Sequence, residues 1–243
     1  MGLSHSPRIV TDGLVFCVDA ANPRSYPETG SGWYDLSSNN YDGTLKNGAS
    51  FDSANAGSIS FDGTNDRADF PSGIMDTGTI TVCWWQKGWD GARRVTILEM
   101  GTTSDEVYGG GGIYFNESAS DGRLYFRFFV LNTSNVSARI ASNSVTTFNN
   151  FADTWKHVAV NWDGTTNAGN MKIYIDGEFD NQNNGGNSVQ KNWLGPWTIA
   201  DGIQSSQLVN YQGNIASFSI YNKVLSAEEI KQNYNATKGR FGL

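Results

Sequence analysis

The stretch Asn214-Ile-Ala-Ser-Phe-Ser-Ile-Tyr221 decides how the rest of the sequence can fold. Apolar and polar residues alternate along it with a period of two, which is typical of a half-buried β-strand. The alternation predicts that Ala216, Phe218 and Ile220 face a core, while the residues between them face the other way. The stretch therefore predicts a strand within a sheet that has at least one buried face.

Helix signals follow this strand directly. Ser226, with Glu229 three residues later, matches a capping box, and Leu225 and Ile230 occupy the two positions of a hydrophobic staple. These signals predict a short helix over 226–238. Its apolar stripe must lie against a larger element, which we expect to be the sheet.

Asp-Gly pairs, which are among the strongest short-range hairpin signals, begin at positions 12, 42, 62, 90, 121, 163, 176 and 201. Three of the runs between them are predicted to present one apolar face each: Leu14, Phe16 and Val18; Ile80, Val82 and Trp84; Met171, Ile173 and Ile175. Repeated hairpins of this kind predict an antiparallel sandwich. The run Arg123–Leu131 is apolar on both faces apart from its arginines, so we expect it to be a central strand.

The chain resembles laminin-G-like, concanavalin A-like jelly-roll domains over nearly its whole length. The segments that carry the resemblance are Gly213–Ile230, which resembles the closing motif of such domains, with Gly13–Ala20, Trp33–Ser37, Asp42–Leu45, Ser58–Gly63 and Trp155–Gly164. The resemblance implies an all-β, antiparallel two-sheet jelly-roll sandwich with one short C-terminal α-helix. We expect a single domain over 1–243, in which residues 1–12 form an N-terminal arm.

The charge balance restricts the classes of partner. Lys and Arg together number 17 against 24 Asp and Glu, a net charge of −7, which disfavours nucleic acid and anionic membrane surfaces. No apolar run approaches the roughly 18 residues needed to span a bilayer, so we expect no membrane insertion. The N-terminal residues lack the charged and apolar regions of a signal peptide, so we expect synthesis in a cytoplasm.

The cysteines and histidines favour structural roles. Cys17 and Cys83 lie inside apolar strand patterns, and we expect both to be buried, reduced thiols. His157 falls at a position that, by the resemblance, packs within a strand, so we expect it to be structural rather than a general base. With two histidines and no closely spaced cysteine pair, a zinc site is not expected.

Catalysis has little support in the sequence. Glucanases of the resembling fold carry a Glu-x-Asp-x-x-Glu strand whose carboxylates act across the scissile bond, and this chain has no such strand. Glu228 and Glu229 are expected to serve the helix start, whereas Asp105 and Glu106 lie in a glycine-bounded loop with no third partner. We therefore expect that the protein is not an enzyme.

Calcium is a possible cofactor, because the resemblance implies an ion at the rim of the sandwich held by loop carboxylates and carbonyls. The candidate ligands are Asp35, Asn39 and Asp42 in one loop and Asp62 and Asp66 in another. The first loop lacks the glycine and glutamate of an EF-hand. The alternative is that these residues stabilise turns, since Asp and Asn favour turns for backbone reasons.

Three stretches do not have a strand pattern and are predicted surface loops: Asn22–Ser31, Gly101–Gly112 and Asn181–Asn192. Aromatic residues near polar loops could stack on sugar rings while Asn, Asp and Gln bind the hydroxyls. The carbohydrate-binding candidates are Trp89, Trp193, Trp197 and Tyr211. The alternative is that these rings cover the ends of the sandwich.

Three functions are compatible with these observations. Asp19–Tyr26, Trp33–Ser37 and Asn235–Phe241 resemble modules of tailed-phage virion proteins. The favoured function is therefore a non-enzymatic virion surface protein, a capsid decoration, fibre or tail component, assembled in the host cytoplasm with other virion proteins. Many copies per particle would bind host surface polysaccharide weakly. The alternatives are a carbohydrate-binding module of a bacterial adhesin and, less favoured, a polysaccharide hydrolase.

Overall fold

The computed structural model describes residues 8–74, 79–88, 95–100, 111–115, 123–131, 137–147, 153–165, 169–182, 196–201 and 209–243. The strands in these residues are β1 (Leu14–Asp19), β2 (Gly32–Trp33), β3 (Gly43–Lys46), β4 (Ser50–Asp52), β5 (Ser58–Asp62), β6 (Arg67–Phe70), β7 (Ile80–Lys87), β8 (Val95–Met100), β9 (Gly111–Phe115), β10 (Arg123–Leu131), β11 (Ser137–Thr147), β12 (Lys156–Trp162), β13 (Met171–Ile175), β14 (Glu178–Gln182), β15 (Trp197–Ile199), β16 (Val209–Asn210) and β17 (Gln212–Tyr221). One helix, α1 (Ala227–Thr237), and two short 3-10 turns, Ala54–Ala56 and Lys238–Phe241, complete the described elements.

The described strands form two sheets. The first sheet has the order β14-β13-β12-β7-β17-β5-β4, and β1 also pairs with β17. The second sheet has the order β11-β10-β9-β8-β15-β6-β3-β2, and the two-residue β16 pairs with β8. All pairs are antiparallel except β16 with β8. The predicted antiparallel jelly-roll sandwich is confirmed, and β10 is a central strand as expected, because it pairs with both β9 and β11.

The main core lies between the two sheets. From the first sheet it receives Val82, Trp84 and Phe218, and the rings of Trp84 and Phe218 stack with their centroids 5.9 Å apart. From the second sheet it receives Ile113 and Leu124, among others. Alternation along each strand sends these residues inward, as the sequence predicted for β7 and β13.

Two β-bulges change the alternation predicted for β1 and β17. Because of a register shift between Ile215 and Ser217, the Ile215 side chain packs in the main core, and Ala216 packs on the opposite face of the sheet. A second shift, between Leu14 and Phe16, places Leu14 on that same opposite face. The predicted inward positions of Ala216 and Leu14 are therefore wrong, because one extra residue in a strand reverses which face the following residues occupy.

The outer face of the first sheet, called here the covered face, is also buried. Its strands contribute Cys83, Ala159 and Tyr221, which pack against Leu225 and Ile230 at the start of α1. Other residues of this layer are Val10 from the N-terminal segment and Trp85, Trp155 and Phe241. An antiparallel sheet commonly leaves one face to solvent. Here the helix and both described chain ends cover that face.

The helix begins as the sequence predicts. The Ser226 hydroxyl accepts a hydrogen bond from the Glu229 backbone N–H (3.2 Å), and the Glu229 carboxylate accepts from the Ser226 N–H (2.8 Å). Lys223 forms an ion pair with the same carboxylate and lowers the pKa of Glu229. The capping box therefore fixes where the chain leaves the sheet and begins to cover it.

The hairpin between β13 and β14 shows the predicted turn chemistry. Asp176 and Gly177 have φ of 52° and 77°, as a two-residue type I′ turn requires.

Two loop predictions need correction at their ends. Gly111 and Gly112 belong to β9, and Asn181 and Gln182 belong to β14, because backbone pairing extends into both polar stretches. The remainder of these two predicted loops lies outside the described residues.

Replacing Ser226 with Ala should lower the free energy of unfolding by about 1 kcal/mol, because the substitution removes the side-chain cap of α1. Urea denaturation followed by tryptophan fluorescence would measure the change. Ser226→Asp keeps a capping oxygen and is the matched control, which should remain close to wild type. Equal losses in the two variants would contradict the capping role.

Candidate functional site

Two of the four predicted sugar-stacking residues are buried, so their assignment as binding residues is corrected. The Trp197 ring is 1% exposed and lies 6.4 Å from Phe16, centroid to centroid, in the main core. Tyr211 is fully buried, and its hydroxyl donates to the carbonyl of Lys87 (2.9 Å). Alternation in β15 points Trp197 inward, which the polar loop before it did not indicate. Trp89 and Trp193 lie outside the described residues.

The Asp35 carboxylate, the first calcium candidate, is surrounded by hydrogen-bond donors. One oxygen accepts from the backbone N–H groups of Cys17 and Ser37, both at 2.9 Å. The other accepts from the Ser37 hydroxyl (2.6 Å) and the Tyr41 N–H (3.1 Å). Both oxygens therefore bind the protein itself, which leaves them poorly placed to coordinate an ion.

The other two candidates of this loop also form hydrogen bonds, and Asn39 does so at the edge of β1. The Asn39 amide donates to the carbonyl of Val15 (2.8 Å), and Asp42 accepts from the Asp35 N–H (2.9 Å). An unpaired strand edge needs hydrogen-bond partners that do not recruit another chain. The geometry thus supports the alternative in which this loop caps a sheet edge.

The second candidate loop buries one carboxylate. Asp66 is 3% exposed, and one of its oxygens accepts from the Asp62 N–H (3.0 Å) while Oδ1 has no partner. Burial raises the pKa of Asp66. The Asp62 side chain accepts from the Thr64 N–H (2.7 Å). The two carboxylates carry four oxygens, two of which accept these N–H groups, whereas calcium takes six to eight oxygen ligands.

Among the described residues, no group of three His, Cys, Asp or Glu side chains could hold a metal ion. Within the same ranges, none of the helical structure has the length and apolar character of a membrane span.

A cavity of about 50 Å³ lies within the covered face, between the first sheet and α1. Cys17 and Cys83 both line this cavity. Each is paired with Ser219 of β17, from the strand on either side of it. Two strand spacings separate the cysteines by roughly 10 Å, too far for a disulfide. Burial raises the pKa of each thiol to about 12. Both cysteines are free and buried, as the sequence predicts, and burial keeps their thiols protonated.

His157 lines the same cavity and is 3% exposed. Its ring lies 5.3 Å from that of Trp85 and 5.9 Å from that of Tyr234, and its Nδ1 has no hydrogen-bond partner. Burial lowers the pKa of His157 to about 3, so the ring is neutral at physiological pH. A buried neutral imidazole packed between aromatic rings has a structural role, as expected.

The edge strand β14 carries two carboxylates at the spacing that begins the glucanase pattern. Glu178 and Asp180 match the first half of that pattern, but position 183 is Asn, and a register shift between Phe179 and Asn181 breaks the alternation that would place both carboxylates on one face. Glu178 is well exposed and forms an ion pair with Lys231 on α1. Asp105 and Glu106 lie outside the described residues. The ion pair with Lys231 gives Glu178 a structural role.

The structure shows an exposed aromatic residue that the sequence reasoning missed. Tyr34 is 44% exposed and follows β2, the edge strand of the second sheet. Gly32 pairs with Thr44 on β3, and Thr44 pairs with Asp69 on β6. Because Trp33 points into the main core, alternation places Gly32 and Tyr34 on the outer face. That alternation around Trp33 was the available signal.

A family model described as the concanavalin A-like lectin/glucanases superfamily matches residues 62–231. No curated protein matches the sequence.

Solved structures share the fold at low sequence identity. Domain 4 of a GH43 extracellular arabinanase from Geobacillus stearothermophilus, solved in complex with arabinotriose, is 14% identical with a TM-score of 0.64, covering 91% of this chain and 98% of that one. The binding domain of Paraclostridial Mosquitocidal Protein 1 is 15% identical with a TM-score of 0.64, covering 92% of this chain and 52% of that one.

A structure of botulinum neurotoxin type C, whose cell entry depends on interaction with two ganglioside molecules, is 14% identical with a TM-score of 0.65. The match covers 93% of this chain and 51% of that one, so the chain spans about half the length of both toxin structures.

The buried His157 predicts acid sensitivity. The unfolded chain binds a proton there below about pH 6.5, whereas the folded protein binds it only near pH 3, so stability falls as the pH drops from 6.5 toward 3. Between pH 7 and 5 this group should remove about 2 kcal/mol from the free energy of unfolding.

Urea denaturation at both pH values would measure the change in wild type and in His157→Phe. The variant keeps an aromatic ring but cannot titrate, so its stability should fall by about 2 kcal/mol less over this range. The same pH dependence in both proteins would show that His157 does not contribute.

Proposed function

This chain belongs to the concanavalin A-like lectin/glucanases superfamily, and we propose that it serves as a glycan-binding domain without catalytic activity. The observation that carries the proposal is the match to the arabinanase domain, which includes 98% of a separate domain solved with a bound oligosaccharide. The toxin structures, one a binding domain and one associated with gangliosides, lend further support. Glycan binding without catalysis is favoured over hydrolysis, because the sequence lacks the Glu-x-Asp-x-x-Glu strand of the glucanases.

The architecture suits binding by a fixed surface. The first sheet carries α1 on its covered face, while the outer face of the second sheet presents exposed and half-buried polar residues at its β2 end. The Asn22–Ser31 loop beside β2 is held in place, because the buried Tyr26 donates its hydroxyl to the Gly30 carbonyl (2.9 Å) and stacks on Phe51. A rigid surface loses little conformational entropy on binding.

We further propose that the domain is displayed in many copies on the particle of a tailed bacteriophage, as a capsid decoration, fibre or tail component. Support comes from the resemblance of Asp19–Tyr26, Trp33–Ser37 and Asn235–Phe241 to modules of such proteins. Two free, buried thiols fit assembly in a reducing host cytoplasm. A bacterial adhesin module is the alternative.

Display in many copies would compensate for weak single sites. One stacked sugar contributes only a few kcal/mol against the ordering cost of binding, so a single site should have a dissociation constant near the millimolar range. Linking many copies makes later binding events intramolecular and raises the apparent affinity by orders of magnitude.

Clustered protein should therefore bind a subset of glycans on an array of neutral and sialylated oligosaccharides and bacterial surface polysaccharides, whereas monomer should give little signal. Trp193→Ala should weaken binding if that ring stacks on sugar, without a large fall in melting temperature. Trp197→Ala is the comparison, because loss of this core ring should cost about 3–5 kcal/mol of stability. Failure of clustered wild type to bind any glycan would refute the binding role.

Quantitative mass spectrometry of particles purified from the source should find this chain at a fixed copy number relative to other virion proteins, because a structural component occupies defined sites. A soluble cytoplasmic protein from the same lysate is the control for adventitious carry-over. Detection only in a cell-envelope fraction would favour the adhesin alternative and contradict the virion proposal.

A further inference from the structure

The Tyr34 ring lies back over Gly32 on the outer face of the second sheet. A Cβ added to Gly32 would sit 2.5 Å from both Cζ and Oη of Tyr34, so the ring occupies the space that a side chain would need. Gly32 does not have a positive φ, so the backbone does not require glycine there. The ring therefore explains Gly32, and Tyr34 remains 44% exposed where it rests on the strand.

Polar groups continue from this ring across the neighbouring strands. Thr44 lies one strand spacing from Gly32 and Asp69 lies two, at roughly 5 and 10 Å. Both side chains are half-buried. The open strip ends at the next residue in register, Thr198, which is buried and donates its hydroxyl to the Asp201 carbonyl. The strip from Gly32 to Asp69 is therefore about as long as one or two sugar rings.

The Asp69 carboxylate is fixed in place. Arg67 Nε donates to Asp69 Oδ1 (2.7 Å), and Arg67 also reaches Asp201 (3.4 Å). This contact uses only one oxygen of Asp69, so the other can accept a hydroxyl hydrogen bond. Two carboxylates outweigh the single charge of the guanidinium, so the local charge does not favour an acidic ligand.

We propose that Tyr34, Thr44 and Asp69 form a subsite for a neutral pyranose, an inference that rests on the proposed glycan-binding function. The apolar C–H face of the sugar stacks on the exposed side of the Tyr34 ring. Its hydroxyls donate to Asp69 and exchange hydrogen bonds with Thr44. Gly32 acts as a positioning residue, because it lets the ring lie against the strand.

The test measures binding of clustered protein to an array of neutral and sialylated oligosaccharides. Wild type should bind neutral glycans, and Tyr34→Ala should lower the apparent affinity about tenfold. Gly32→Ala should weaken binding although Tyr34 is retained, because the added methyl displaces the ring. Tyr34→Phe keeps the stacking face and should bind nearly as wild type.

Phe179→Ala is the matched control. Phe179 is an exposed aromatic, 54% accessible, on β14 of the other sheet, so its loss should leave binding unchanged. Thermal melting should show each variant folded, and if Gly32→Ala unfolds, Tyr34→Ala and Tyr34→Phe carry the test. Unchanged neutral-glycan binding by Tyr34→Ala, or binding only of sialylated glycans by wild type, would overturn this subsite and leave the proposed function intact. Wild type that binds no glycan would refute both.

Discussion

The first sheet is apolar on both faces, and the rest of the structure depends on covering the second of them. Strands β7 and β12 are buried along almost their whole lengths. One face meets the second sheet, and the other would expose Cys83, Ala159 and Tyr221 to water without a further layer. Helix α1, the N-terminal segment and the C-terminal turn provide that layer. The ends of the described chain thus meet because the same face needs both of them.

This third layer gives several buried polar groups a structural role. Val10 donates its N–H to the Asn233 side chain (2.8 Å), and Tyr221 donates its hydroxyl to the Val10 carbonyl (3.1 Å). Hydrogen bonds of this kind tie the N-terminal segment to α1 through groups buried from water. His157 and the two thiols lie in the same layer, where burial keeps the imidazole neutral and the cysteines protonated. Their environment is that of a packed interior.

The outer face of the second sheet differs from the covered face of the first. With α1 on the first sheet, the outer face of the second sheet is where described side chains such as Tyr34 and Asp69 remain accessible. The edge of β1 is closed by the Asp35 carboxylate, which was first considered as a calcium ligand, and by the side-chain N–H of Asn39. Turn-forming and ion-binding sequences share the same residue types, so only the hydrogen-bond geometry separates them.

The sequence by itself determined the elements whose signals are local. The capping box at Ser226, the type I′ turn at Asp176 and the period-two strands depend on contacts within a few residues, and all three are present. Tertiary structure decided which face each residue occupies near the bulges, so Ile215 replaced Ala216 in the main core. It also decided that Trp197 is buried and Tyr34 exposed, although both are aromatic residues next to loops. Local alternation places Tyr34 on the face opposite to Trp33, but which face is buried depends on the strands from distant parts of the chain that lie opposite.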